Sequence, residues 1–168
     1  MSLVGAGTEA SGGGSATPGL GASLRSAWLG YQLRLDRAMA EAGFGERGFP
    51  DSRVLRVCSV EAGSTISAIG RELGVTRQGA SKVVAHLRDR GYVAVADSTT
   101  SKREKSVILT GRGIDYLAHQ HAAARAIEDE LRGELGEAVL SALGVLLAAL
   151  DAGDGIRLSA YLRRSSSL

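Results

Sequence analysis

The chain has 168 residues, with 20 Lys and Arg against 18 Asp and Glu, and 44% of its residues are hydrophobic. This length fits one domain with a substantial core. No stretch of about 18 apolar residues occurs, which excludes a membrane-spanning helix. The single cysteine excludes an intrachain disulfide. We therefore expect a soluble, cytoplasmic protein with no membrane contact.

Residues 1–22 are rich in glycine and have no apolar periodicity, which predicts a disordered tail. They also lack the basic start and the unbroken apolar centre of a signal peptide. We expect the remaining residues, 23–168, to form a single domain.

Two helical patterns come next, over residues 24–42 and 51–61. The glycine-rich segment 43–50 separates them, and we expect its Phe44 and Phe49 to pack on the core. The first helix carries an apolar stripe that should be buried, made of Leu24, Trp28, Tyr31 and Leu35.

Residues 64–73 and 76–90 predict two short helices joined by a tight turn. Thr65 (or Ser64) and Thr76 stand where an N-cap hydroxyl accepts from the free amides of the first helical turn. Gly74 follows the first helix, whose end favours a residue in the left-handed conformation. The apolar stripe of that helix consists of Ile66, Ile69 and Leu73.

The second of these helices has two different faces on a 3.6-residue wheel. Its apolar face should pack on the first helix, and its opposite face carries donors and acceptors suited to base edges and phosphates. We expect Asp89 and Arg90, at its end, to be exposed to solvent. The apolar face holds Ala80, Val83, Val84 and Leu87, and the polar face holds Gln78, Ser81, Lys82, Ala85 and His86, flanked by Arg77 and Arg88.

Residues 92–96 and 105–109 are rich in β-forming side chains, and the segment between them contains Lys102 and Arg103. Helix, turn, helix and a basic hairpin make a winged helix-turn-helix, here over residues 51–110. The predicted fold class is mainly α with a small β-hairpin wing, flanked by further helices.

Helices are also predicted after the wing, over residues 111–131, with Thr110 as N-cap, and over 137–150. The later helix is almost entirely apolar, and a surface helix of a monomer rarely has so broad an apolar girth. We therefore expect residues 23–42 and 111–162 to form the interface of a homodimer. Burial of the last helix inside a monomer is the alternative. The buried side of the longer helix should carry Ile114, Leu117, His121, Ala124 and Ile127.

Charge is unevenly distributed along the chain. Residues 71–112 contain nine Lys and Arg and four Asp and Glu, a balance of +5, whereas residues 113–154 contain eight acidic and two basic residues, a balance of −6. A basic segment that coincides with a helix-turn-helix is the electrostatic pattern of nucleic-acid binding. The acidic segment should face away from DNA.

The run ISAIGRELGVTRQGASKVVAHLRDRGYV, the basic wing after it and the following VILTGRG resemble the MarR family of transcriptional regulators. The likeness covers roughly residues 24–150. The family's wing Asp-x-Arg falls on Ser101, Lys102 and Arg103, so the arginine is kept and the aspartate is replaced. The resemblance implies a dimeric repressor whose terminal helices form the dimer interface. The sequence shows no cofactor-binding fingerprint, so no cofactor is expected. The resemblance also implies release from DNA by a small, often aromatic, ligand between the dimer helices and the winged domain.

A symmetric dimer would present two recognition helices to successive major grooves about 34 Å apart, which predicts a pseudo-palindromic operator. Gln78 suits adenine, and Lys82 suits guanine or phosphate. The amides at the helix start suit phosphate, and Arg103 suits the minor groove. The predicted DNA-binding residues are Thr76, Arg77, Gln78, Ser81, Lys82, His86, Lys102, Arg103 and Lys105.

Other functions fit the sequence less well. Winged helices also act as protein–protein docking modules without DNA contact, but a neutral or acidic recognition face would favour that interpretation. An enzyme is not expected, since the 58 residues after Thr110 are read as helix and leave no room for a catalytic domain. Cys58 lies among apolar residues, which indicates an inert core thiol. His119 and His121 point in different directions on a helix and do not form a metal clamp.

Overall fold

A computed structural model of the chain describes residues 18–46, 51–59, 63–97 and 105–150. Most of the predicted tail, Phe49, the wing tip with Ser101, Lys102 and Arg103, and all residues from 151 onward lie outside the described residues. The elements in chain order are α1 (Leu20–Glu41), α2 (Asp51–Cys58), β1 (Ser64–Thr65), α3 (Ile66–Leu73), α4 (Arg77–Asp89), β2 (Val93–Asp97), β3 (Lys105–Leu109), α5 (Gly111–Leu135) and α6 (Glu137–Leu150).

The predicted threonine caps of α3, α4 and α5 are confirmed. The hydroxyl of Thr65 accepts from the amide of Ala68 at 3.1 Å, and that of Thr76 accepts from Gly79 at 3.1 Å. Thr110 caps α5 in the same way. Gly74 ends α3 with φ 66° and ψ 32°, the left-handed conformation that the sequence predicted. These local signals fix the helix-turn-helix.

The sheet has three antiparallel strands in the order β1-β3-β2, one more than the predicted hairpin. Ser64 pairs with Val107 and Thr65 with Ser106, so the residues before α3 form a short edge strand on the wing. Thr65 thus has two roles, as a strand residue and as the N-cap of α3. β2 and β3 pair from Val93↔Leu109 to Asp97↔Lys105.

One hydrophobic core joins the helix-turn-helix, the sheet and the helices on either side of it. The inner face of α4 packs on α3, and the end of α1 and the start of α5 close the core from the other side. Phe44 is buried, as the sequence predicted. The completely buried members of the core are Met39, Val54, Leu55, Ile69, Leu73, Ala80, Leu87, Tyr92, Val107 and Tyr116.

Two predicted stripes differ from the structure. In α1 only Leu35 and Met39 are buried, and Trp28 is 56% exposed. In α5 the buried residues are Gly113, Tyr116 and Ile127, whereas Ile114 is exposed. The close approach of Gly113 to the carbonyl of Tyr92, where a Cβ atom would lie 2.3 Å from the oxygen, sets this rotation of the helix.

The helix boundaries also extend beyond the sequence estimate. α1 begins at Leu20, so the last three residues of the predicted tail are helical, and α5 continues to Leu135 before Gly136 ends it. Among the described residues, no helix is long and apolar enough to cross a membrane.

Candidate nucleic-acid interface

Helix α4 divides its side chains between the core and solvent as its sequence predicted. Ala80, Val84 and Leu87 are buried against the core. Among the described residues, the polar side chains of the opposite face are exposed, and its small residues leave room between them. The exposed predicted contacts are Thr76, Arg77, Gln78, Ser81, Lys82 and His86.

The N-terminal end of α4 is built to receive an anion. The first-turn amides of a helix carry partial positive charge, and the Thr76 hydroxyl accepts from one of them here, the Gly79 amide. The guanidinium of Arg77 donates to the hydroxyl of Ser67 on α3 at 3.2 Å. This bond holds a cation beside the helix start, where a phosphate group would be attracted by both the helix dipole and the guanidinium.

The wing contributes a further cation next to α4. Lys105 is exposed at the first position of β3, paired in register with Asp97. Lys102 and Arg103 precede it and lie outside the described residues. The structure therefore brings Lys105 to the same region as the α4 face, and it leaves the positions of the two wing-tip cations as predictions.

A crevice of about 530 Å³ lies between α4 and the wing strands. Its apolar lining includes Val84, Val93 and Val95, and its cations are Arg88 and Lys105. An apolar wall with two cations suits a small amphipathic anion. This crevice is on the winged domain itself, whereas the sequence resemblance implied a ligand between that domain and the dimer helices.

Arg90 was predicted to be exposed, and this prediction is wrong. Its side chain is 13% exposed and donates to the carboxylate of Asp51, itself 3% exposed, at 2.8 Å. A second guanidinium nitrogen donates to the backbone carbonyl of Glu46. The end of the recognition helix is therefore tied to the start of α2, and sequence periodicity could not find this because the partners are 39 residues apart.

A polar cluster adjoins this ion pair on the protein surface. The Tyr92 hydroxyl donates to the Glu46 carboxylate at 2.9 Å, and Arg112 forms an ion pair with the same carboxylate. A backbone hydrogen bond and then the Tyr92 hydroxyl lower the pKa of Glu46, with Arg112 acting in the same direction. Burial and the Glu46 hydrogen bond raise the pKa of Tyr92, which keeps this hydroxyl a neutral donor.

The remaining candidate groups show no reactive arrangement. Burial raises the pKa of Cys58 to about 12, as expected of an inert core thiol. Within the described parts of the chain, no group of three or more His, Cys, Asp or Glu residues is placed to hold a metal ion.

The comparisons with known proteins agree with this geometry. A sequence model described as the MarR family matches residues 48–104. No curated protein matches the chain. Among solved structures, the chain is similar to the transcriptional repressor CouR bound to a 23-mer DNA duplex, with 25% identity and a TM-score of 0.59, over 78% of this chain and 91% of CouR.

Two other structures show the same fold. The MarR family protein Rv2887 of Mycobacterium tuberculosis, in complex with salicylic acid, is 24% identical with a TM-score of 0.55, over 81% of this chain and 98% of Rv2887. FabT of Streptococcus pneumoniae, in complex with DNA, is 18% identical with a TM-score of 0.67, over 77% and 91% of the two chains. The sequence match spans α2 through the start of the wing, and the structural likeness includes the flanking helices. Residues 48–104 thus match the MarR family of winged helix-turn-helix transcriptional regulators, and the fold of the chain is the fold of solved members of that family.

Proposed function

We propose that this protein is a homodimeric repressor that binds a pseudo-palindromic operator in double-stranded DNA. The observation that carries the proposal is the exposed outer face of α4, which combines Gln78, Ser81 and Lys82 with the anion-binding start of the helix. Gln78 and Lys82 can read base edges in the major groove, and Thr76 and Arg77 can hold the backbone phosphates.

The wing supplies the second part of this proposal. Lys105 lies beside α4 and suits a phosphate, and we assign Lys102 the same role. Arg103 would enter the minor groove next to the half-site read by α4. His86 lies on the outer face of α4, where it extends the row of polar contacts.

A dimer is proposed from the exposed apolar surface of the terminal helices. No residue of α6 is buried within the described part of the chain, although Val139, Leu146 and Leu150 form one stripe on it with 40–52% exposure. On α1, Leu29 and Leu33 are 58% and 71% exposed. Removing a fully exposed side chain of this size from water stabilises by about 1.5–3 kcal/mol, and covering the exposed part of each of these side chains gains a share of that, which favours covering them with a second copy.

The dimer is tested by sedimentation of a Leu146→Glu/Leu150→Glu double variant. We expect the parent to sediment as a dimer and this variant as a folded monomer, since two carboxylates would be forced into an apolar interface. Arg71→Glu, an exposed change on α3 in the winged domain, is the control and should leave the dimer intact. A parent that is monomeric at tens of micromolar would contradict the proposal.

DNA reading is tested by fluorescence anisotropy on a duplex enriched from a random pool. Lys82→Ala should weaken binding about tenfold. If Lys82 contacts a phosphate, the variant should also reduce the slope of log K against log salt concentration. If Lys82 contacts guanine, the variant should instead relax the base preference. Arg125→Ala is the matched control, because it removes a cation that lies away from the recognition face. Equal losses in both variants would contradict the assignment of α4 as the reading element.

We also propose that a small aromatic acid releases the protein from DNA. The complex of Rv2887 with salicylic acid supports the ligand class, and the crevice between α4 and the wing supplies an apolar wall beside Arg88 and Lys105. A ligand there would compete with DNA for the same surface. Titration with salicylate should release the duplex from the parent protein, and release from Arg88→Ala should need a higher salicylate concentration. The same releasing concentration for both proteins would place the ligand elsewhere.

A further inference from the structure

The loop after α1 makes a link across the molecule that the DNA-reading proposal does not use. We call Glu46, Tyr92 and Arg112 the Glu46 latch. The Glu46 carboxylate accepts from the Tyr92 hydroxyl at 2.9 Å and pairs with Arg112, and the Glu46 carbonyl accepts from Arg90. One residue therefore contacts the turn after α4 and the first turn of α5 together.

The Glu46 end of the latch is fixed to the helices that flank the winged domain. The Phe44 amide donates to the Met39 carbonyl at 2.8 Å, which continues the end of α1 into the loop. The Phe44 ring is buried and packs edge-on against Tyr116 of α5, with 5.5 Å between the ring centroids. Glu46 therefore moves with α1 and with the body of α5.

The Tyr92 end is fixed to the recognition helix. The Tyr92 amide donates to the Leu87 carbonyl in the last turn of α4 at 2.9 Å. The guanidinium carbons of Arg90 and Arg112 lie 4.9 Å and 5.0 Å from the centre of the Tyr92 ring. A rotation of α4 relative to α1 would pull Tyr92 and Arg90 away from Glu46.

We propose that Glu46 is a positioning residue that fixes the angle between α4 and α1 and thereby the separation of the two recognition helices in the dimer. This inference rests on the proposed dimeric, DNA-reading function. The Glu46 and Arg112 side chains are each 43% exposed, and exposed ion pairs contribute little to overall stability. The latch is therefore suited to setting an orientation rather than to holding the fold together.

The first test compares a complete palindromic duplex with a duplex that carries one half-site. Glu46→Ala should weaken binding to the palindrome about tenfold, since the loss of charge-assisted hydrogen bonds lets the helix spacing vary. It should change half-site binding less than about twofold, because the α4 face itself is intact. Arg112→Ala removes the cation that pairs with Glu46 and lies over the Tyr92 ring, and it should give the same split.

Glu72→Ala is the matched control. The ion pair of Glu72 with Arg53 at 3.6 Å is also exposed, but it lies within the winged domain, between α3 and α2. Loss of this ion pair should leave the affinities for both duplexes equal to those of the parent protein. Equal weakening of palindrome and half-site by Glu46→Ala and Arg112→Ala, or the same split in Glu72→Ala, would overturn the latch.

The second test measures the helix separation without DNA. A nitroxide label on Asp89→Cys, at the exposed end of α4, reports the distance between recognition helices by pulsed electron resonance. The native Cys58 is buried with its pKa raised to about 12, so the introduced thiol is the one that reacts. We expect a broader or displaced distance distribution in Glu46→Ala than in the parent protein.

The outcomes separate the two proposals. Superimposable distance distributions in a dimer that reads its operator would overturn the latch and leave the proposed function intact. No dipolar signal between protomers, together with no enriched DNA sequence, would contradict the proposed function and remove the basis of the latch. Thermal midpoints of all variants, measured by circular dichroism, show whether the compared proteins are folded.

Discussion

The buried ion pair between Asp51 and Arg90 gives the strongest prediction about stability. The two groups are 3% and 13% exposed and lie 2.8 Å apart, so Asp51→Ala would leave a buried guanidinium without its counter-charge. Removing one partner of such a pair typically costs about 3–5 kcal/mol. Arg90 keeps the Glu46 carbonyl as an acceptor, which places the expected loss near the lower end, about 3 kcal/mol.

The chain offers a matched control in the exposed pair of Arg88 and Asp89. These side chains are 55% and 66% exposed at 3.0 Å, and such pairs contribute about 0–1 kcal/mol. Asp89 is also the last residue of α4, where the helix dipole disfavours a negative charge. We therefore expect Asp89→Ala to change the free energy of unfolding by less than about 0.5 kcal/mol.

Urea unfolding followed by circular dichroism measures both changes. All variants are compared at one protein concentration, because dimerisation makes apparent stability concentration-dependent. A lower midpoint with an unchanged slope for Asp51→Ala, and an unchanged midpoint for Asp89→Ala, is the predicted pattern. Losses of similar size in the two variants would refute the reasoning from burial.

Three further results are expected from single positions. Gly113→Ala should destabilise the protein by about 2–4 kcal/mol, because the added Cβ atom would meet the Tyr92 carbonyl oxygen. Gly133 has open space around it, so Gly133→Ala should stabilise α5 by about 0.5–1 kcal/mol. Urea midpoints that shift in the same direction in both variants would contradict this. Cys58 should resist a thiol reagent at pH 8 until urea unfolds the chain, since a pKa of about 12 leaves about one thiolate in ten thousand; rapid reaction of the folded protein would exclude a buried thiol. The pKa of Glu46 in the folded protein lies below its usual value of 4.5, so the contribution of its charge to stability is complete above pH 4.5 and is lost as the pH falls through the folded pKa. The difference in unfolding free energy between the parent protein and Glu46→Gln should therefore shrink in acid. A difference that does not change with pH would contradict the assignment.

Local signals in the sequence were sufficient for the helix-turn-helix. The hydroxyls of Thr65, Thr76 and Thr110 cap the helices that follow them, and Gly74 takes the left-handed conformation between α3 and α4. Each depends on residues within a few positions along the chain, which is the range over which periodicity and capping carry information. The division of α4 into a buried and an exposed face follows for the same reason.

Contacts between distant residues could not be predicted in this way. The two-residue strand at Ser64 forms only because β3, more than 40 positions later, offers it an edge. The burial of Arg90 depends on Asp51 in another helix, and that of Tyr116 depends on how Gly113 seats α5 on the turn after α4. The charge of Arg90 and its position in the helical repeat predicted an exposed side chain, because neither contains information about a buried partner elsewhere in the sequence.

The apolar stripes of the terminal helices show a different kind of disagreement. The pattern of Trp28 and Ile114 predicted buried faces, yet within the described residues both side chains are 56% exposed. The proposed dimer would cover side chains of this kind.

Selection of binding sequences from a random pool of duplexes tests the central claim most directly. If α4 reads base edges in a symmetric dimer, the enriched sequences will share a two-fold symmetric motif whose half-sites are about 34 Å, or one helical turn, apart. Binding to that motif should weaken steeply as salt rises. A pool that yields no shared motif, together with salt-insensitive binding of micromolar strength or weaker, would contradict the account and favour a docking module that recognises another protein.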